Sequence, residues 1–192
     1  MRAVLIALAL LVGLPPACAA ASIDDPLILV ARPALRDALF EGAVLVVAPL
    51  GGDEHVGFIV NRPTPLTLGR LFPERAPPAV AGEPLYRGGP VVSDVMFALV
   101  QRKSNPGGGS FEVIPGLYAA YDRKVVARIM DRESAQARFV AGFVIWKAGE
   151  LRSEIGRGAW YVLEPDARLA MREPRGLWEE LVRRSQRGRT AF

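Results

Sequence analysis

The apolar residues of this chain come in short runs that stop at proline or glycine, and this punctuation limits the secondary structure available to it. The runs 27–31 (LILVA), 43–48 (AVLVVA) and 56–60 (VGFIV) are five or six residues long and rich in β-branched side chains. Runs of this length and composition favour strands over helices. Turn residues at 49–53 (PLGGD) separate the last two runs, so we expect these two strands to form a hairpin.

The remaining pattern also alternates between short strands and short helices. Further strands are predicted at 85–87, 95–101, 111–114, 117–121, 139–146 and 159–163. Short helices are predicted after the N-cap residues Thr67 and Asp122, over 149–155 and around 177–182. Because the strands come in clusters and not in regular βαβα alternation, we predict an α+β fold with a mainly antiparallel or mixed sheet.

Size and charge indicate one globular domain. The chain has 192 residues, of which 51% are hydrophobic and 23% charged, and its net charge is +4. The only dense basic run lies at 183–189, which we interpret as a solvated helix end that leads into a flexible basic tail at 187–192. We therefore predict a single domain over 22–186, and nucleic acid is not an expected partner.

The first 21 residues have the pattern of a secretory signal peptide. Arg2 precedes a short apolar stretch at 3–14, and small residues follow up to position 21. The stretch is shorter than the roughly 20 residues that span a bilayer. We predict export to the periplasm or the medium, with no stable membrane span after cleavage. Lipidation of Cys18 is an alternative, although the preceding prolines fit a lipoprotein signal poorly.

The sequence provides little material for catalysis or for cofactors. With one histidine and one cysteine, a transition-metal site is not expected. His55 has acidic neighbours, but no G-x-S-x-G motif accompanies it, so we interpret it as a turn histidine. The chain has neither a P-loop nor a G-x-G-x-x-G fingerprint, and no cofactor is predicted.

Two stretches at predicted strand ends are chemically distinctive. In Asn61-Arg62-Pro63 the amide can bond the backbone, and the guanidinium suits a carboxylate or phosphate. In Arg87-Gly88-Gly89-Pro90 the paired glycines allow a ligand or another strand to approach closely, and their N–H groups can form an anion nest. The alternative interpretation is structural, namely a hydrogen-bonded corner and a tight turn.

These stretches, in order, resemble the YqgE/AlgH family. The similarity runs from about Leu27 to about Arg184. It rests on 31–40 (ARPALRDALF), 56–64 (VGFIVNRPT), 85–91 (LYRGGPV), 141–155 (AGFVIWKAGELRSEI) and 158–160 (GAW). The resemblance implies a compact α+β domain with a partly closed, barrel-like sheet. It supplies no reaction. Family members are often labelled as transcriptional regulators, but this sequence contains no DNA-binding motif that would support such a role.

Several positions depart from the family pattern. Pro49-Leu50 stands where the family usually has Glu-His, Glu150 replaces a glutamine and Ile145 replaces a glycine. The signal peptide is a further departure, because family members are generally cytoplasmic. Any activity that depends on those polar positions is not expected in this chain.

We predict a non-enzymatic, exported binding or regulatory domain for a small anionic ligand or a protein partner. Its expected site combines Asn61, Arg62, Gly88, Gly89 and Trp146. This prediction follows from clustered motifs that lack a catalytic set.

Two alternatives stay open. The first is a hydrolase or transferase on an anionic substrate, with an anion hole at Arg62 and Gly88-Gly89 and with Asp94 or Glu150 as the base. The second is a cytosolic transcriptional regulator that binds DNA through its arginine-rich tail, which requires that the signal peptide is not cleaved.

Overall fold

The computed structural model describes residues 23–187; the predicted signal peptide at 1–21, with Cys18, and residues 188–192 of the predicted tail lie outside that range. The described strands are β1 (Leu27–Ala31), β2 (Val44–Gly51), β3 (Glu54–Ile59), β4 (Pro63–Thr67), β5 (Pro84–Arg87), β6 (Val91–Gln101), β7 (Ser110–Ile114), β8 (Leu117–Ala120), β9 (Ala137–Trp146) and β10 (Trp160–Leu163). The helices are α1 (Leu68–Leu71), α2 (Arg123–Arg132), α3 (Glu150–Gly156) and α4 (Leu177–Arg187), with 3-10 turns at Ser134–Gln136 and Ala167–Met171. None of the helices in this range is long and apolar enough to cross a membrane.

The strands form one curled sheet. Their order is β10-β1-β2-β3-β9-β6-β8-β7, and the β4–β5 pair joins it through β9. Every pairing is antiparallel except that between β5 and β9. Strand β7, at one end of the order, contacts β2 near the other end, so the sheet curls towards closure. The predicted α+β class with a partly closed, barrel-like sheet is confirmed.

The continuous apolar runs are explained by burial on both faces of the sheet. In β1 all five residues are fully buried. Ile28 and Val30 join a core cluster with α4, whereas Leu27, Leu29 and Ala31 join a second cluster on the opposite face. Each run therefore lacks the alternation of a half-exposed strand.

Strand β9 fixes the position of the two distinctive stretches. Its end pairs with β3, through His55 with Trp146 and Gly57 with Val144. Its middle pairs with β5, through Tyr86 with Val140. Since β3 leads into Asn61-Arg62-Pro63 and β5 leads into Gly88-Gly89-Pro90, both stretches lie beside the same strand.

Two predicted helix N-caps are confirmed, whereas strands β4 and β6 differ from the prediction. Thr67 and Asp122 act as helix N-caps through their side-chain oxygens. Strand β4 was not expected, because its two prolines cannot donate to a sheet; it pairs with β5 alone, and such an edge strand tolerates proline. Strand β6 begins four residues earlier than predicted, at Val91, because residues 92–95 form an exposed bulge between its pairings with β9.

Candidate functional site

The Asn61 side chain links the corner between β3 and β4 to the connection between β1 and β2 through hydrogen bonds. Its Oδ1 accepts a hydrogen bond from the Val44 N–H at 2.9 Å, and its Nδ2 donates to the Gly42 carbonyl at 2.8 Å. Both partners lie where the chain enters β2, and Val44 is fully buried. The amide therefore supplies a donor and an acceptor that two backbone groups of the β1–β2 connection would otherwise lack.

Removing the Asn61 hydrogen bonds should lower the stability of the protein. We expect Asn61→Ala to lower the free energy of unfolding by about 2 kcal/mol, because the buried Val44 N–H loses its acceptor. Urea denaturation of the purified protein measures this loss. In the control Gln136→Ala, an exposed amide is removed and the change should stay within about 0.5 kcal/mol. Equal stability of the two variants would contradict a structural role for Asn61.

The Arg62 side chain also forms hydrogen bonds with the connection between β1 and β2. Its guanidinium donates to the Ala38 carbonyl at 3.2 Å and to the Glu41 carbonyl. Burial lowers the pKa of Arg62, and the positive charge of Arg87 lowers this pKa further, against the opposite influence of Asp37 and Glu41. The two guanidiniums therefore lie close enough for their like charges to interact.

The Gly88-Gly89 pair accommodates β9. The Gly88 and Gly89 N–H groups both donate to the Ala141 carbonyl, at 2.8 and 3.3 Å, so neither is available for the anion nest that the sequence suggested. A Cβ atom on Gly89 would lie within 3.0 Å of the Phe143 carbonyl and the Val144 nitrogen. The close approach that the glycines permit is thus that of a strand backbone.

A surface groove runs past these two stretches. It consists of two adjoining cavities, of about 340 and 400 Å³, which share Thr64 and Arg87 in their walls. We call it the Arg87 groove. The smaller cavity is lined by Asn61, Arg62, Pro63, Thr64, Pro65 and Arg87. The larger continues over Leu39, Leu66, Leu85, Gly89, Pro90 and Ser93, so an apolar wall extends from a positively charged end.

Arg87 is the most accessible charge in this groove. It is exposed, and in the chain between 23 and 187 its side chain makes neither a hydrogen bond nor an ion pair. Its backbone N–H donates to the Arg62 carbonyl at 2.8 Å, which holds it beside the corner. A guanidinium in this setting suits a carboxylate or phosphate, which it can bind with two parallel hydrogen bonds.

The expected site residues divide accordingly. Asn61, Arg62 and Gly89 line the Arg87 groove, whereas Gly88 is buried beside it. Trp146 lies elsewhere, buried in the core on the far end of β9. Its indole N–H donates to Glu154 Oε2 at 3.0 Å.

Trp160 shares that acceptor with Trp146. The Trp160 indole N–H donates to the same Glu154 oxygen at 2.8 Å, so one carboxylate joins two strands to α3. The sequence interpretation missed this pairing, and it also left Arg87 out of the expected site. The signal for Arg87 was present, because it directly precedes Gly88-Gly89 in the motif.

The acids that a catalytic alternative would require lie outside the groove. Asp94 is on the β6 bulge and lines a separate cavity beside α2. The Glu150 carboxylate accepts from the Lys147 N–H at 2.9 Å, at the start of α3. His55 is buried, with its Nε2 donating to the Ile23 carbonyl at 2.7 Å. As the described residues form it, the groove is lined by no Asp, Glu, His or Cys.

The described residues contain no group of three or more His, Cys, Asp or Glu side chains that could hold a metal ion. The cations that could hold an anionic ligand in the groove are Arg62 and Arg87.

Comparisons with known proteins extend over most of the chain. A family model described as AlgH-like (DUF179) matches residues 28–188. A UPF0301 protein of Streptomyces coelicolor is 34% identical over 175 residues, covering 86% of this chain and 88% of that protein. A UPF0301 protein of Thermobifida fusca is 33% identical over 175 residues, with 86% and 88% coverage.

Two solved structures share the fold. The solution structure of the AlgH protein from Pseudomonas aeruginosa matches with a TM-score of 0.66 and 23% identity, over 85% of this chain and 88% of that one. The crystal structure of a protein from Corynebacterium diphtheriae matches with a TM-score of 0.66 and 19% identity, over 84% and 86%.

Proposed function

This chain belongs to the AlgH-like family, and on that premise we propose that it is a non-enzymatic binding protein whose Arg87 groove holds a small organic anion. The observation that carries the proposal is the exposed Arg87 guanidinium, unpaired within residues 23–187 and beside a second arginine, at the end of a partly apolar groove. Two neighbouring positive charges favour a dianion such as a phosphate monoester or a dicarboxylate.

The lining of the groove supports binding more than turnover. General acid–base catalysis needs a titratable group within hydrogen-bond reach of the reacting atom. The groove walls carry arginines, a threonine and a serine, and the Thr64 hydroxyl donates to the Leu85 carbonyl at 2.7 Å. Neither Asp94 nor Glu150 lies in these walls, so the hydrolase or transferase alternative lacks the base it would need.

Calorimetric titration tests the proposal. Phenyl phosphate, phthalate, benzoate and inorganic phosphate are titrated into the purified protein at low ionic strength, where exposed charges act most strongly. We expect the two organic dianions to bind best, and Arg87→Gln to weaken their binding by about tenfold or more, as the loss of a charge-assisted hydrogen bond predicts.

The matched control removes an equivalent charge elsewhere. Arg132 is exposed at the end of α2 and lines neither cavity of the groove, so Arg132→Gln should leave the affinity unchanged. If both substitutions weaken binding equally, the effect reflects net charge and the site is not in the groove. If neither dianion binds the wild-type protein, the proposal fails.

We also propose that the protein acts after export. The first 21 residues, with Arg2 before the apolar stretch at 3–14, support this, and they precede the family match, which begins at residue 28. Sequencing the N-terminus of the protein recovered from its own cells tests this proposal. A mature chain that begins near residue 22 supports export, whereas retention of Met1 supports the cytosolic alternative.

A further inference from the structure

A second cationic side chain lies inside the protein, away from the Arg87 groove. Arg138 is the second residue of β9 and is only 8% exposed. Its Nη1 donates to the Val60 carbonyl, and its Nη2 donates to the Arg172 carbonyl at 2.7 Å. The guanidinium also lies over the Tyr86 ring, with its central carbon 4.2 Å from the ring centroid.

The charge of Arg138 has no close counter-ion. Within residues 23–187 no carboxylate lies within ion-pair distance of its guanidinium, although Glu83 and Glu173 act on it from further away. Burial lowers the pKa of Arg138, since desolvation disfavours the charged form. Carbonyl dipoles and an aromatic face compensate for desolvation in part, but a buried cation is best compensated by an anion.

A cavity of about 350 Å³ opens beside Arg138. Arg138 and Tyr86 form part of its wall, together with the apolar side chains of Leu68, Phe139 and Met171. The cavity shares no lining residue with the Arg87 groove. Its volume lies near the lower end of the range for small-molecule pockets, and its mixture of apolar walls with a few polar groups is typical of them.

The charge on the cavity walls restricts the anion. Arg138 contributes one positive charge, and Glu83, at the cavity's edge, contributes one negative charge. Glu83 repels a dianion twice as strongly as a monoanion at the same distance, and one guanidinium matches the charge of a single carboxylate. We propose that this cavity is a binding site for a small apolar monocarboxylate, with the carboxylate on Arg138 and the hydrocarbon against Leu68, Phe139 and Met171.

Titration with a matched pair of probes tests this site. The probe is 4-methylpentanoate, and its control is the uncharged 4-methylpentanamide, which has a similar shape. We expect saturable binding of the acid and at least tenfold weaker binding of the amide, because a hydrogen bond from arginine to a carboxylate is charge-assisted. Equal affinities, or no saturable binding of the acid, would overturn the proposal.

A blocking substitution tests the location without touching the guanidinium. Ala135 lines the cavity from an exposed 3-10 turn, so Ala135→Phe should fill the space and weaken 4-methylpentanoate binding at least tenfold. Its control is Ala34→Phe, at an exposed alanine in the loop after β1, which should bind normally. Normal binding by Ala135→Phe would place the carboxylate elsewhere and overturn the proposal.

Two further variants separate this site from the groove and identify its cation. Arg87→Gln should leave 4-methylpentanoate binding unchanged, so the outcome here does not depend on the proposed function of the groove. Arg138→Lys keeps the charge but loses the planar fork of donors, and we expect binding at least tenfold weaker. Unchanged binding by a folded Arg138→Lys would contradict the role of Arg138; if that variant does not fold, Ala135→Phe decides the case.

Discussion

Replacing Gly89 with alanine should lower the free energy of unfolding by about 4 kcal/mol or prevent folding altogether. The added Cβ would lie within 3.0 Å of the carbonyl group of Phe143 and the nitrogen of Val144. These are backbone atoms of β9, the strand that pairs with β3, β5 and β6, so they cannot move aside as a flexible side chain would. The clash must instead separate β5 and β6 from β9.

The control for this variant is another glycine to alanine change. Gly82 is exposed, and no atom lies within 4 Å of the position that a Cβ would occupy. We expect Gly82→Ala to be neutral or to stabilise the protein by up to about 1 kcal/mol, because alanine restricts the unfolded chain. Urea denaturation followed by tryptophan fluorescence measures both variants. A loss below about 1 kcal/mol for Gly89→Ala would contradict the close packing of this turn on β9.

The second large effect is expected at Glu154. Its Oε2 accepts the indole N–H groups of both Trp146 and Trp160, at 3.0 and 2.8 Å, and both tryptophans are 2% exposed. Glu154→Ala removes the acceptor that both indoles share and leaves two buried donors without a partner. We therefore expect it to lower the free energy of unfolding by about 3 kcal/mol, since hydrogen bonds to charged groups contribute more than neutral ones.

Two comparisons make this result specific. Glu154→Gln keeps the shape and one acceptor oxygen, so we expect it to lose less than half as much stability as the alanine variant. Glu164→Ala removes an exposed carboxylate that makes no hydrogen bond within the described chain, and it should change the free energy by less than about 0.5 kcal/mol. If Glu154→Ala behaves like Glu164→Ala, the two indoles do not depend on this carboxylate.

The strands that could be predicted are those whose signal is local. The bounds of β1 follow directly from the buried run LILVA, and the hairpin of β2 and β3 follows from the Gly-Gly-Asp turn between two apolar runs. Strand β4 could not be predicted, because its two prolines lack the N–H groups that a central strand uses to bond its neighbours. An edge strand tolerates them, but the sequence does not show that β4 pairs with β5 alone. The β6 bulge could not be predicted either. Nothing local in residues 92–95 distinguishes a bulge from a continuous strand or from a turn.

The role of Asn61 could not be decided from the sequence, because its partners are distant. The groups that it bonds, at Gly42 and Val44, lie 19 and 17 residues earlier in the chain. No local pattern shows which backbone groups of that connection would be left without partners. The sequence therefore left two interpretations of this stretch open, a structural corner first and one wall of an anion-binding pocket second.

The glycine pair and Arg138 illustrate two further limits. The sequence predicted that a ligand or a strand approaches the backbone of Gly88-Gly89 closely. The structure shows that the approaching group is the backbone of β9. The sequence does not mark Arg138 as unusual, because an arginine at the beginning of an apolar run is usually exposed. Its burial arises from Tyr86, Val60 and Arg172, which come from three distant parts of the chain.

The central position of β9 also affects the order in which the protein can assemble during synthesis. Until residues 137–146 have left the ribosome, β3, β5 and β6 all lack the neighbour that joins them, and the nascent chain holds three unpaired strand edges. Pairing β5 with β9 closes a loop of about fifty residues, which is slow compared with the formation of local hairpins. A chain that acquires its central strand this late stays incompletely folded for most of its translation, with the edges of β3, β5 and β6 exposed to other chains until β9 emerges.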